Sequence, residues 1–138
     1  RLLQAALEEA SKLIEPYEDA LELLRRLQNR LTVVISTSAS REFIDLVLRR
    51  VPEIRARVSR IFSSVSDFSL PSKPPEFYLR VLAELRIEPH ELAHAGDDEE
   101  ADYRIPASLG IRAFFVDRSE GRGLSNLLQL LEILANDC

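Results

Sequence analysis

Residues 31–48 read LTVVISTSASREFIDLVL. The run Leu31 to Ile35 is apolar but for Thr32 and β-branched from Thr32 onward, the pattern of a strand buried on both faces. Ser36 to Ser40 is a small polar turn, and Phe43, Ile44, Val47 and Leu48 then recur at the spacing of one helical face, which predicts a helix finishing near Pro52. Strand, polar turn and helix in that order form a βα unit, and repetition of the unit makes a parallel sheet.

The rest of the chain repeats it. Leu3, Ala6, Leu7, Ala10, Leu13 and Ile14 keep a helical period that predicts a helix from Leu2 to about Ile14, ended by Pro16. Ala20, Leu21, Leu23, Leu24 and Leu27 predict a second helix from Tyr17 to Asn29. Downstream, Arg60 to Ser66 is a weaker strand and Asp67 to Pro75 a loop. Pro75 opens a helix carrying Tyr78, Val81, Leu82 and Leu85, because a proline at the first helical position forfeits no hydrogen bond. Glu91 to Ala95 is a strand entering Gly96-Asp97-Asp98, followed by a helix to Leu109 with Gly110 as its cap. Ile111 to Val116 is a further strand, and Leu124 to Leu134 a closing helix. The expected fold is α/β, an open parallel sheet with helices on both faces.

Composition narrows the function. A chain of 138 residues, 46% hydrophobic, holds one compact domain with a core. A net charge of −5 with no basic block argues against nucleic acid or an anionic membrane as partner. No apolar run is long enough to span a bilayer and no leader pattern opens the chain, so the expected address is cytoplasmic. Cys138 is the only cysteine, which excludes a disulfide framework and a thiolate metal cage. The chain contains no methionine, and residues upstream of Arg1 are expected.

In open parallel sheets ligands bind beyond the carboxyl ends of the strands, so chemistry is expected from the residues just after each strand. Ser36-Thr37-Ser38 offers hydroxyls and backbone N–H groups to a phosphate oxygen, or simply a helix cap. Lys73 sits between Ser72 and two prolines, and of 18 basic residues only it and Lys12 are lysines. It reads either as a point charge for a phosphoryl group or as an ordinary solvated loop lysine. In His94-Ala95-Gly96-Asp97-Asp98-Glu99-Glu100-Ala101-Asp102 adjacent carboxylates repel one another unless a cation neutralises them. Oxygen donors favour a hard ion such as Mg²⁺, while Glu99 and Glu100 fit an acidic first helical turn.

Taken in order, a hydroxyl after a strand, Lys-Pro opening a helix, Gly-Asp-Asp with a further Asp, and Ala-x-x-Gly-Ile before an apolar strand resemble the second to fourth motifs of the haloacid dehalogenase-like hydrolases. The resemblance runs from about Glu15 to the C-terminus and implies a Rossmann-like core. By position it assigns Ser36, with Thr37 as a competing alignment, to the transferred phosphoryl group. Lys73 would hold the phosphoryl oxygens, and Asp97 would ligate Mg²⁺, with Asp98 and Asp102 as supporting acidic positions. The implied activity is Mg²⁺-dependent hydrolysis of a small phosphorylated molecule through an aspartyl-phosphate. Its alternatives are a metal-independent 2-haloacid dehalogenase and a catalytically inactive binding module of the same fold.

One family motif is missing. The family places Asp-x-Asp at the end of the first strand, where the leading aspartate is the nucleophile, and no such motif precedes Ser36. Residues 1–15 are therefore expected to be the end of a cap or linker helix and 16–138 the core, with the first strand absent from the chain. That strand belongs between the one ending at Ser36 and the one ending at Asp97, so its absence would leave two unpaired central edges, which natural sheets avoid.

Overall fold

The computed structural model describes residues 4–7, 18–27, 30–117 and 128–135. Its five strands are β1 (Gln4–Leu7), β2 (Thr32–Thr37), β3 (Arg60–Ser63), β4 (Leu92–Gly96) and β5 (Arg112–Phe115). They form one sheet in the order β3-β2-β1-β4-β5, with every pairing parallel. The helices are α1 (Glu18–Leu27), α2 (Arg41–Arg50), α3 (Pro52–Arg57), α4 (Ser64–Phe68), α5 (Pro75–Leu85), α6 (Ile105–Ser108) and α7 (Gln129–Ala135). A 3₁₀ turn at Pro89–Glu91 leads into β4, and a π-helical turn at Glu99–Arg104 leads out of it into α6. No helix among the described residues is long and apolar enough to cross a membrane.

The period-2 alternation of β2 divides the core. Val33 and Ile35, with Ala93 and Ala95 of β4, face α1, α2, α3 and α7, where Leu23, Leu27, Val47, Ile54 and Leu130 are buried. Val34 and Leu92 face the other way, onto Phe77, Tyr78, Val81 and Leu82 of α5. Helices thus cover both faces, as expected, and the large buried side chains each contribute roughly 1.5–3 kcal/mol by leaving water. Ser40 caps α2 by accepting from the Phe43 N–H at 3.3 Å. Gly110 follows α6 with φ of +91°, a left-handed position that suits glycine.

The structure corrects the reading of the N-terminal segment. Gln4–Leu7 is a strand, and it fills the place between β2 and β4 that was expected to be empty. Gln4 pairs with Thr32 on one side and Leu92 on the other, and Leu7 with Ile35 and Ala95. The helical spacing of Leu and Ala there reflects a weak local preference, which two parallel ladders override. The boundary at residue 15 is corrected with it, since β1 belongs to the core sheet. The remainder of residues 1–15, and residues 124–127 of the expected closing helix, lie outside the described residues. Two short helices were not foreseen. α3 begins at Pro52, a residue read as a terminator, and α4 takes the last three residues of the expected Arg60 to Ser66 strand and the first two of the expected loop, its cap made by Ser63 Oγ accepting from Ser66 N–H at 3.0 Å.

Candidate active site

At the carboxyl edge of the sheet the alternation of β2 sends its two hydroxyls to opposite faces. Ser36 continues the Val34 row and is buried, with its Oγ 3.5 Å from His94 Nδ1. Thr37 continues the Ile35 row and lines a small apolar cavity with Phe43, Val47 and Ile54. Its Oγ1 accepts from Ala39 N–H at 3.0 Å, closing the turn. The turn is braced from α4: Ser63 Oγ donates to Ala39 O at 2.7 Å, Arg41 N–H donates to Ser66 Oγ at 2.9 Å, and the Arg41 guanidinium grips Asp67 at 2.7 and 2.9 Å.

Lys73 is not a solvated loop lysine. Its side chain is 2% exposed, although Pro71 and Ser72 before it are exposed, and its ammonium donates to Asp102 Oδ1. A buried lysine needs such a partner, because an unpaired ammonium in the interior is expelled or neutralised. Asp102 reaches this position because the π-helical turn after β4 brings residue 102 back beneath Gly96. A Cβ on Gly96 would lie 2.7 Å from Asp102 Cβ and closer still to its carboxyl group, so only glycine leaves room. Asp98 N–H donates to Asp102 Oδ2 at 3.1 Å, and Asp102 N–H donates to Asp98 O at 2.8 Å.

His94 completes the cluster. Its Nε2 lies 2.9 Å from Asp102 Oδ1 and 3.3 Å from Tyr78 Oη, while the Tyr78 hydroxyl donates to Ala101 O. Both neighbours of Nε2 are therefore acceptors, which assigns the ring proton to Nε2 and leaves Nδ1 to accept from Ser36 O–H. Burial lowers the His94 pKa below the ordinary imidazole value, the Lys73 charge acts in the same direction, and the hydrogen bond and charge of Asp102 oppose both. The imidazole is accordingly neutral at physiological pH. Ser36, Lys73, His94, Tyr78 and Asp102 form one buried polar chain across the sheet, passing from β2 over β1 to β4 and α5.

The carboxylates proposed for a metal separate. Asp97 is exposed directly after β4. Asp98 is exposed and caps the π-helical turn, its Oδ1 accepting from Glu100 N–H at 3.1 Å and Ala101 N–H at 2.9 Å. Asp102 is fully buried against Lys73. Among the described residues no three His, Cys, Asp or Glu side chains are grouped to hold an ion. Asp97 fits Mg²⁺ as a single oxygen ligand, since that ion keeps several waters and uses one or two carboxylates. As arranged, Asp98 and Asp102 do not. β1 ends at Leu7, between Ile35 and Ala95, one residue short of Ser36 and Gly96, and the next residues in sequence are Glu8, Glu9 and Ala10; the first aspartate of the chain is Asp19.

The sequence reading assigned no role to His94 and counted Tyr78 as core. A signal existed for the histidine: it interrupts an apolar buried strand on the same face as Gly96. Tyr78 carried none, since its ring packs among Phe77 and His94 as any core aromatic would.

A protein-family comparison matches residues 3–110 to the haloacid dehalogenase-like hydrolases, and this chain belongs to that family. A search of curated protein sequences returns no match. Among solved structures, a HAD phosphatase from Thermococcus onnurineus superposes with a TM-score of 0.76 at 23% identity, over 87% of this chain and 58% of that one. The putative HAD-hydrolase YfnB from Bacillus subtilis, solved bound to magnesium, gives 0.78 at 17% identity over 91% and 57%. A 2-haloacid dehalogenase from Pseudomonas syringae gives 0.71 at 18% identity over 90% and 55%. At these identities the likeness is one of fold, and the chain spans a little over half the length of each of these structures.

Proposed function

We propose that the whole protein is a Mg²⁺-dependent phosphohydrolase acting on a small phosphorylated molecule through an aspartyl-phosphate, a reading that requires a nucleophilic aspartate other than the residues following β1, which are Glu8 and Glu9. The observation that carries this reading is the buried chain linking Ser36, at the end of β2, to Lys73 through His94 and Asp102. A hydroxyl and an ammonium are thereby held on either side of the end of β1, where Ser36 donates to one phosphoryl oxygen and Lys73 offsets the charge of the others. Ser36 suits this role better than Thr37, whose side chain turns to the opposite face. Asp97 is the carboxylate that would ligate Mg²⁺, which supplies Lewis-acid stabilisation of phosphoryl charge when bound. Asp102 acts through Lys73, as its counter-charge, and Asp98 as a cap.

Asp97→Asn is the clean test, because Asp97 is exposed and its replacement leaves the core intact. Turnover of p-nitrophenyl phosphate with Mg²⁺ is expected to fall by about 10²-fold or more, the scale of losing a positioned charge. Lys73→Met should abolish turnover and also destabilise the fold by about 3–5 kcal/mol, because Asp102 is left buried without its ammonium. Undiminished turnover in Asp97→Asn would defeat the assignment. Chloride release from a 2-haloacid without Mg²⁺ would decide for the dehalogenase.

A second reading has its own support. The family's nucleophilic aspartate stands at the end of the first strand, whereas Leu7 is followed by Glu8 and Glu9. A protein that binds inorganic phosphate without hydrolysing any ester would be the inactive member of the family.

A further inference from the structure

We propose that His94 is a positioning residue that couples the two phosphate-facing groups, Ser36 and Lys73, through its two ring nitrogens. The inference rests on the phosphohydrolase reading for its kinetic test and on geometry alone for its structural one. Nε2–H donates to Asp102 Oδ1, the same oxygen that holds the Lys73 ammonium, so the imidazole fixes the anion against which the lysine is placed. Nδ1 is left as the acceptor for Ser36 O–H at 3.5 Å, a long contact that is given up at little cost when a phosphoryl oxygen arrives. Ser36 therefore rests with its proton turned inward and turns it outward on binding. Tyr78 fixes the tautomer, because its own proton is committed to Ala101 O and its oxygen can only accept. His94 touches neither substrate nor metal in this scheme; it acts through Asp102 and Ser36.

The two arms can be separated by substitution. Glutamine places an amide nitrogen where Nε2 stands and keeps the donor to Asp102, asparagine places its amide oxygen near Nδ1 and keeps the acceptor for Ser36, and leucine keeps neither. On p-nitrophenyl phosphate with Mg²⁺, using the whole protein, His94→Leu is expected to lower kcat by about 10²-fold, the cost of a misplaced reacting group. The H94Q and H94N variants should each recover part of that loss, with H94Q recovering more because it restores the lysine's anchor. Equal losses in all three variants, tracking loss of Tm, would mean that the ring only fills space and would overturn the proposal, as would wild-type kcat in a folded His94→Leu. The tautomer is read independently of activity from the imidazole nitrogen NMR signals of His94. Protonation on Nε2 alone supports the proposal and protonation on Nδ1 overturns it. If the wild-type protein turns over no phosphate ester, the function reading fails by itself and the NMR result still decides the role of His94.

Discussion

A methyl group on residue 96 would have to displace Asp102, and with it the anchor of Lys73 and the partner of His94, so the smallest side chain in the site governs three others. Gly96→Ala is expected to cost about 3–5 kcal/mol, the scale of breaking a buried ion pair, in urea unfolding. A loss under 1 kcal/mol would mean that Asp102 has another seat. The neighbouring histidine gives a pH signature. Its folded-state pKa is lowered, chiefly by burial, so below the ordinary imidazole value near 6.5 the unfolded chain takes up a proton that the folded chain refuses. The stability associated with His94 is therefore whole above that pH and declines as pH falls beneath it. Tm measured from pH 7 to pH 5 should fall more steeply in wild type than in His94→Gln, and parallel curves would exclude a buried neutral imidazole. At this scale the acidic motif was legible, because Gly-Asp-Asp after an apolar run is a local pattern. The partners of Asp102 were not, because Lys73 and His94 come from distant parts of the sequence and meet only when the Lys73 loop and α5 pack against β4.

Among the elements, α5 shows how much a terminus contributes. Its opening was readable from Pro75 and its buried face from Phe77, Tyr78, Val81 and Leu82. It ends at Arg86, an exposed residue at φ of +57° whose N–H closes the helix onto Ala83 O and Leu82 O. An L-residue there carries roughly 1–2 kcal/mol of steric cost that glycine avoids, less the greater entropy glycine loses on folding. Arg86→Gly should thus raise stability by about 0.5–1 kcal/mol by thermal unfolding; a lower Tm would mean the arginine side chain supports the cap. The short helices α3 and α4 were illegible for a related reason. Five or six residues hold too few apolar positions to show a period, and such turns are stabilised by neighbours. For α3 the neighbour is α1, through Arg25 bonding Glu53 at 2.6 and 2.8 Å. That contact holds the Glu53 carboxyl down to about 2, with Arg57 assisting.

At the scale of the whole molecule the fold class followed from repeated βα units, and the order of the sheet did not, because pairing is a long-range property that no window of sequence contains. The N-terminal strand is the clearest instance. Its sequence, Gln4-Ala5-Ala6-Leu7, favours helix locally, and only the two unpaired edges of β2 and β4 make a strand of it. Ala6 lies opposite Val34 on one side and His94 on the other, so a proline at this position removes a ladder donor and crowds a strand enclosed on both sides. Ala6→Pro should cost about 3 kcal/mol or more. Hydrogen exchange locates the damage: amides of Val34, Ile35, His94 and Ala95 should lose protection together, while those of α5, whose backbone bonds lie within the helix, lose only what global destabilisation imposes. If residues 1–15 were instead a helix outside the sheet, Ala6→Pro would leave exchange in β2 and β4 at wild-type rates, and the candidate site would have to be rebuilt around a different central strand.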